Sequence, residues 1–160
     1  MNERRTGTYV SVKYTDTTTM ILSQMMGIWQ IKNPVSPNKL HTTVIYSRTP
    51  IPLEDQRDID VHELRALGWS FIPKKFELFP FSGTDSVKKV LVMTLHAPEL
   101  ESLHKKLVDM GATHDFDEYI PHITLSYDAE GFDCDAISPG TLHLHPAKIQ
   151  FEPLDLNWKE

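Results

Sequence analysis

Two short segments of the chain place the same residue types at the same spacing. Lys39-Leu40-His41-Thr42-Thr43-Val44-Ile45-Tyr46 and Ile120-Pro121-His122-Ile123-Thr124-Leu125-Ser126-Tyr127 each put a histidine two residues before a threonine, in an apolar run that ends at a tyrosine. In a strand, residues i and i+2 point to the same face. His41 and Thr43 therefore share one face, as do His122 and Thr124. If the two strands meet, two imidazoles and two hydroxyls converge. An imidazole with an unperturbed pKa of ~6.5 gives or takes a proton near neutral pH. A neutral imidazole can serve as base and an imidazolium as acid, each contributing roughly 10²–10⁴-fold. Threonine hydroxyls can donate to phosphate oxygens. The set suits cleavage of a phosphodiester without a metal.

The elements that must position these residues follow from periodicity. Thr8 to Tyr14 alternates and is rich in β-branched and aromatic residues, which predicts a strand. Met20, Ile21, Met25 and Ile28 recur at helical spacing, which predicts a helix through about Trp29 with Asp16 or Thr17 as its cap. Asn33 to Asn38, with two prolines, is expected to be a rigid loop delivering the first His-x-Thr strand. His62 to Leu67 reads as a helical turn stopped by Gly68. Trp69 to Phe81 reads as strand with a kink at Pro73, and Val87 to His96 as a buried strand, with a turn over Gly83 to Ser86 between them. Pro98 opens a helix that carries Leu100, Leu103, Leu107 and Met110, and Gly111 closes it. Ala129 to Gly140 reads as loop. Thr141 to Trp158 reads as one or two strands, which Pro146 and Pro153 confine to edges or bends. The order is β-α-β, β-β-α-β, β, with each motif on the strand after a helix, as in an internal duplication.

Composition bounds the partners. The chain has 160 residues, 40% hydrophobic and 24% charged, which is the balance of a globular domain. The formal net charge of −6 argues against gripping a long nucleic acid, which needs many Lys/Arg contacts to phosphate. A small anionic ligand in a local basic pocket remains compatible. No apolar run is long enough to span a bilayer, and the N-terminus has no secretory apolar core. The single cysteine, Cys134, excludes an internal disulfide and a Cys-based zinc site, so a reducing cytoplasm is the expected compartment.

The His41/Thr43 and His122/Thr124 pair, with Glu118-Tyr119-Ile120-Pro121 leading into the second motif, resembles the 2H phosphoesterase superfamily. More narrowly, the chain is similar to the phage anti-CBASS 2H phosphodiesterases. That likeness is carried by Met1 to Lys13, by the Asn33–Thr43 run and by the Phe151 to Trp158 ending. The resemblance implies an α+β fold of two pseudo-symmetric lobes, with antiparallel sheets flanked by helices and a central cleft, spanning 1–160 as a single domain. It implies catalysis by His41, Thr43, His122 and Thr124 with no metal and no cofactor. The implied substrate is a cyclic di- or trinucleotide immune messenger, cleaved at its 3′–5′ bond in the host cell cytoplasm so that a phage evades CBASS immunity. No membrane, long nucleic acid or obligate protein partner is expected. An RNA-end phosphodiesterase or ligase, and a non-catalytic sponge for cyclic nucleotides, use the same pocket chemistry and stay open. Which histidine is acid and which is base is also open.

Bases present flat faces, and aromatic side chains stack on them at ~1–3 kcal/mol per base. Tyr9 and Trp69 are the preferred platforms, with Trp158 near the C-terminus a third. Lys74, with Lys75 beside it, is a candidate for a second phosphate. Tyr46 and Tyr127 read as packing residues. His143 and His145 share a strand face without a third ligand in register, so surface histidines are expected there. His104, His96, His62 and His114 are assigned no role. Asp133 and Asp135 should raise the pKa of Cys134, a poor setting for a nucleophile.

Overall fold

A computed structural model describes residues 6–51, 57–80, 89–114, 118–129 and 131–155. The chain runs β1 (Thr6–Tyr14), α1 (Asp16–Ile28), a 3₁₀ turn (Pro37–Lys39), β2 (His41–Ser47), α2 (Val61–Leu67), β3 (Ile72–Pro80), β4 (Lys89–His96), α3 (Pro98–Asp109), β5 (His122–Ser126) and β6 (Pro146–Asp155). They form two three-stranded antiparallel sheets, ordered β2-β1-β6 and β3-β4-β5. Each sheet holds one β-α-β unit, β1-α1-β2 or β4-α3-β5, and in each the motif strand lies at an edge. These two edges, β2 and β5, lie against one another. The chain is therefore α+β, with an internal two-fold likeness between the sheets.

The caps explain where the helices start and stop. Thr15, not Asp16 or Thr17, caps α1, because its side chain accepts the amide of Thr18 at 3.2 Å. The buried face of α1 carries Thr18, Thr19, Leu22 and Met26. The expected apolar stripe was displaced by about a quarter turn: Met20, Ile21 and Ile28 are exposed. Asp60 caps α2, and Gly68 ends it in the left-handed conformation at φ 70°. Leu100 and Leu107 anchor α3 in the core, and Gly111 follows it at φ 107°.

Strand β6 is continuous through Pro153, with Pro146 as its first residue. Both prolines are tolerated because β6 is an edge strand. The core joins both halves, with Val10, Val12, Leu22, Met26, Phe71, Met93, Leu100, Ile123 and Leu125 among its members. The turn expected over Gly83 to Ser86 lies outside the described residues.

Candidate active site

Both motif strands carry the same burial pattern. From the histidine onward each reads half-buried, buried, half-buried, buried, buried. The doubled buried pair is a β-bulge. On β2, Ile45 pairs with Val10 and Thr43 with Ser11, so Val44 is extra. On β5, Ser126 pairs with Leu91 and Thr124 with Val92, so Leu125 is extra. In both strands the bulge falls one residue after the threonine, where a bulge bends and twists the strand and re-aims side chains. The middle residue of each motif faces the core. Ile123 is apolar and fully buried. Thr42 is polar, and its buried hydroxyl is paired with Tyr14 Oη at 2.6 Å.

The two imidazoles are oriented in the same way. His41 Nδ1 lies 2.8 Å from the carbonyl oxygen of Lys39, and His122 Nδ1 lies 2.8 Å from that of Ile120. A carbonyl oxygen only accepts, so each Nδ1 carries its hydrogen and each Nε2 is left to exchange a proton with a ligand. The rings are near enough for charge on His41 to bear on His122. Burial is the main influence on His122 and pushes its pKa below the ordinary histidine value. The Ile120 carbonyl opposes this, the charge of His41 adds to it, and Glu77 opposes it. The Phe79 and His122 rings pack in a T-shaped arrangement, with centroids 5.5 Å apart.

Thr43 is held from two directions. Its hydroxyl is 3.1 Å from Tyr9 Oη, and its carbonyl accepts a 2.8 Å hydrogen bond from Tyr119 Oη. Burial pushes the Tyr9 phenol up, with the bond to Thr43 opposing. Cross-strand register sets the neighbours of the motif residues. His41 pairs with Lys13 and Thr43 with Ser11, and across β1 these meet Lys148 and Gln150 of β6. In the other sheet His122 pairs with Thr94 and Thr124 with Val92, and these meet Lys75 and Glu77 of β3. A cavity of about 360 Å³ takes in Thr43 and His122, one residue of each motif, and is lined also by Phe79, His104, Tyr119 and Ile120. A larger one, about 620 Å³, lies between Trp29 and Phe132 and touches neither motif.

Tyr9 meets the site through its hydroxyl, and its ring packs edge-on against Tyr46. Trp69 is half-buried against Phe71, with centroids 6.4 Å apart. Lys74 is the exposed extra residue of a third bulge, between the Pro73–Leu95 and Lys75–Thr94 pairs. It is Lys75 that falls in register with His122, and its ammonium is paired with Glu77 at 2.7 Å. Trp158 lies outside the described residues. Tyr46 and Tyr127 are exposed, at 43% and 53%, although the Tyr46 ring meets that of Tyr9.

His104, which no motif or spacing singles out, donates from Nδ1 to the Val44 carbonyl at 2.8 Å and stacks on Tyr119 at 4.2 Å and 6°. Burial lowers its pKa. Burial also raises the Cys134 thiol, ahead of the two flanking aspartates. Among the described residues no three His, Cys, Asp or Glu side chains group to hold a metal ion.

Two His/Thr pairs on inner edge strands of twinned antiparallel sheets define the 2H phosphoesterase architecture. Solved structures agree. E. coli LigT, crystallised with ATP, superposes with a TM-score of 0.54 at 14% identity, covering 95% of this chain and 96% of its own. A second phosphoesterase gives 0.52 at 14% identity, covering 95% and 99%. The particular family follows from the sequence: the anti-CBASS protein Acb1 family model matches residues 6–160, and the chain belongs to that family. The Acb1 protein of Acinetobacter phage Ac42 is 36% identical over 156 residues, covering 96% of this chain and 94% of its own. That of Enterobacteria phage T4 is 31% identical over 157 residues, covering 97% and 93%. Family membership and a phosphoesterase-like fold are thus established independently, one from sequence and one from structure.

Proposed function

We propose that the chain, acting as one unit over residues 1–160, cleaves the 3′–5′ bonds of cyclic di- or trinucleotide immune messengers in the cytoplasm of an infected host. His41, Thr43, His122 and Thr124 do the chemistry, and no metal takes part. The observation that supports this reading is the matched anchoring of the two imidazoles, each with Nδ1 against a backbone carbonyl so that Nε2 is left for proton transfer.

The ring of a cyclic ribonucleotide carries a 2′-hydroxyl beside each phosphodiester. His122, depressed by burial, is neutral at neutral pH and takes the 2′-hydroxyl proton on Nε2. The 2′ oxygen attacks phosphorus, and the bond from phosphorus to the 5′ oxygen breaks. His41, protonated, gives its Nε2 proton to the departing 5′ oxygen. The product is a linear nucleotide with a 2′,3′-cyclic phosphate, and both protons are accounted for. Tyr9 Oη and Thr43 Oγ1 share a hydrogen bond; with Tyr9 as its donor, the Thr43 proton goes to a non-bridging phosphate oxygen, and Thr124 matches it from β5.

The test is incubation of the purified protein with a cyclic dinucleotide in excess EDTA, followed by chromatography. Turnover is expected, and His41→Ala and His122→Ala should each lower it by at least about 10²-fold without unfolding the chain. Intact, recoverable ligand would instead mark a sponge.

A further inference from the structure

We propose that Tyr119, braced by His104, is a positioning residue that holds Thr43 in register with His122. The proposal rests on the phosphodiesterase reading above. Strand β2 is an edge strand, so the carbonyls on its free side have no strand partner. The bulge at Val44 adds a further carbonyl that the β1 ladder does not use in register. Side chains from the other half of the chain meet both groups. Tyr119 Oη donates to the Thr43 carbonyl across 76 residues of sequence, and His104 Nδ1 donates to the Val44 carbonyl, each at 2.8 Å.

The two donor rings lie parallel, 4.2 Å apart and within 6°, so neither swings without displacing the other. Burial raises the Tyr119 phenol and lowers the His104 imidazole, which keeps both neutral at neutral pH. The next residue after Tyr119 completes the arrangement: the Ile120 carbonyl is the group that orients His122. One dipeptide, Tyr119-Ile120, thus fixes the Thr43 backbone through a side chain and the His122 ring through a backbone oxygen. The spacing between a phosphate-binding hydroxyl and a proton-transfer group is where a displacement of about 1 Å can cost 10²-fold in rate.

Tyr119→Phe removes the hydroxyl and keeps the stacked ring. With a cyclic dinucleotide as substrate, kcat should fall about 10–100-fold while KM changes less than about threefold. In a Thr43→Ala background, which has no hydroxyl left to position, the same substitution should cost less than about twofold. A second pair of variants covers the other ring: His104→Gln, which keeps an N–H for the Val44 carbonyl, should retain more of kcat than His104→Ala. A loss confined to KM or to thermal stability, or an equal cost of Tyr119→Phe in both backgrounds, overturns the proposal. Equal losses in the two His104 variants overturn the bracing role. Failure of the unsubstituted protein to turn over any cyclic dinucleotide overturns the underlying phosphodiesterase reading instead.

Discussion

His41 and His122 are oriented by the same contact: in each, Nδ1 sits 2.8 Å from the carbonyl oxygen of the residue two positions earlier. The contact is local, so each strand carries its own orienting device. It fixes the tautomer through a backbone oxygen. The symmetry stops at the surroundings, since burial and the neighbouring His41 charge depress His122. A base must be unprotonated to act, so activity falls as pH drops through the His122 pKa. The acid limb of kcat/KM, measured from pH 4 to 8, should therefore have its midpoint below the ordinary value of ~6.5. A midpoint at or above that value contradicts the assignment of His122 as base.

The hydroxyl pair Tyr9–Thr43 makes a second prediction. Tyr9→Phe leaves the ring and its edge contact with Tyr46, and removes the hydroxyl that is hydrogen-bonded to Thr43 Oγ1. A hydrogen bond is worth about 1 kcal/mol, so kcat should fall about fivefold, with little change in thermal midpoint. If Tyr9 acted only by stacking on a base, Tyr9→Phe would be silent.

Gly7 tests how tightly β1 and β2 are apposed. A Cβ there would stand 1.9 Å from the Ser47 carbonyl oxygen and 3.1 Å from Arg48 Cα, both backbone. Neither can rotate away, so Gly7→Ala should cost about 1–3 kcal/mol of stability, read as a lowered thermal midpoint. His41 pairs with Lys13 at the opposite end of β1, so turnover below the unfolding transition should persist. An unchanged midpoint would show that the strands separate there without cost.

The parts of this fold legible in the sequence were those set by local chemistry. The His-x-Thr alternation placed His41 and Thr43, and His122 and Thr124, each pair on one face. Gly68 marked the end of α2, and Pro98 the start of α3. The α1 stripe is ambiguous in sequence because Met20, Ile21 and Ile28 repeat at helical spacing as well as Leu22 and Met26 do, and only packing against the sheet decides which face is buried. The contributions of Lys75, Tyr119 and His104 depend on register, bulges and the meeting of β2 with β5. Those are tertiary facts with no periodic signature. The bulge between Pro73 and Lys75 breaks the alternation along β3, so Lys75 rather than Lys74 shares the register of His122.

The most direct measurement compares a cyclic diribonucleotide with its 2′-deoxy analogue, in EDTA, with products followed over time. Attack by the 2′ oxygen between His41 and His122 predicts a linear product ending in a 2′,3′-cyclic phosphate from the ribose ring, and no cleavage of the deoxy ring. Cleavage of the deoxy ring at a comparable rate would contradict internal attack by the 2′ oxygen.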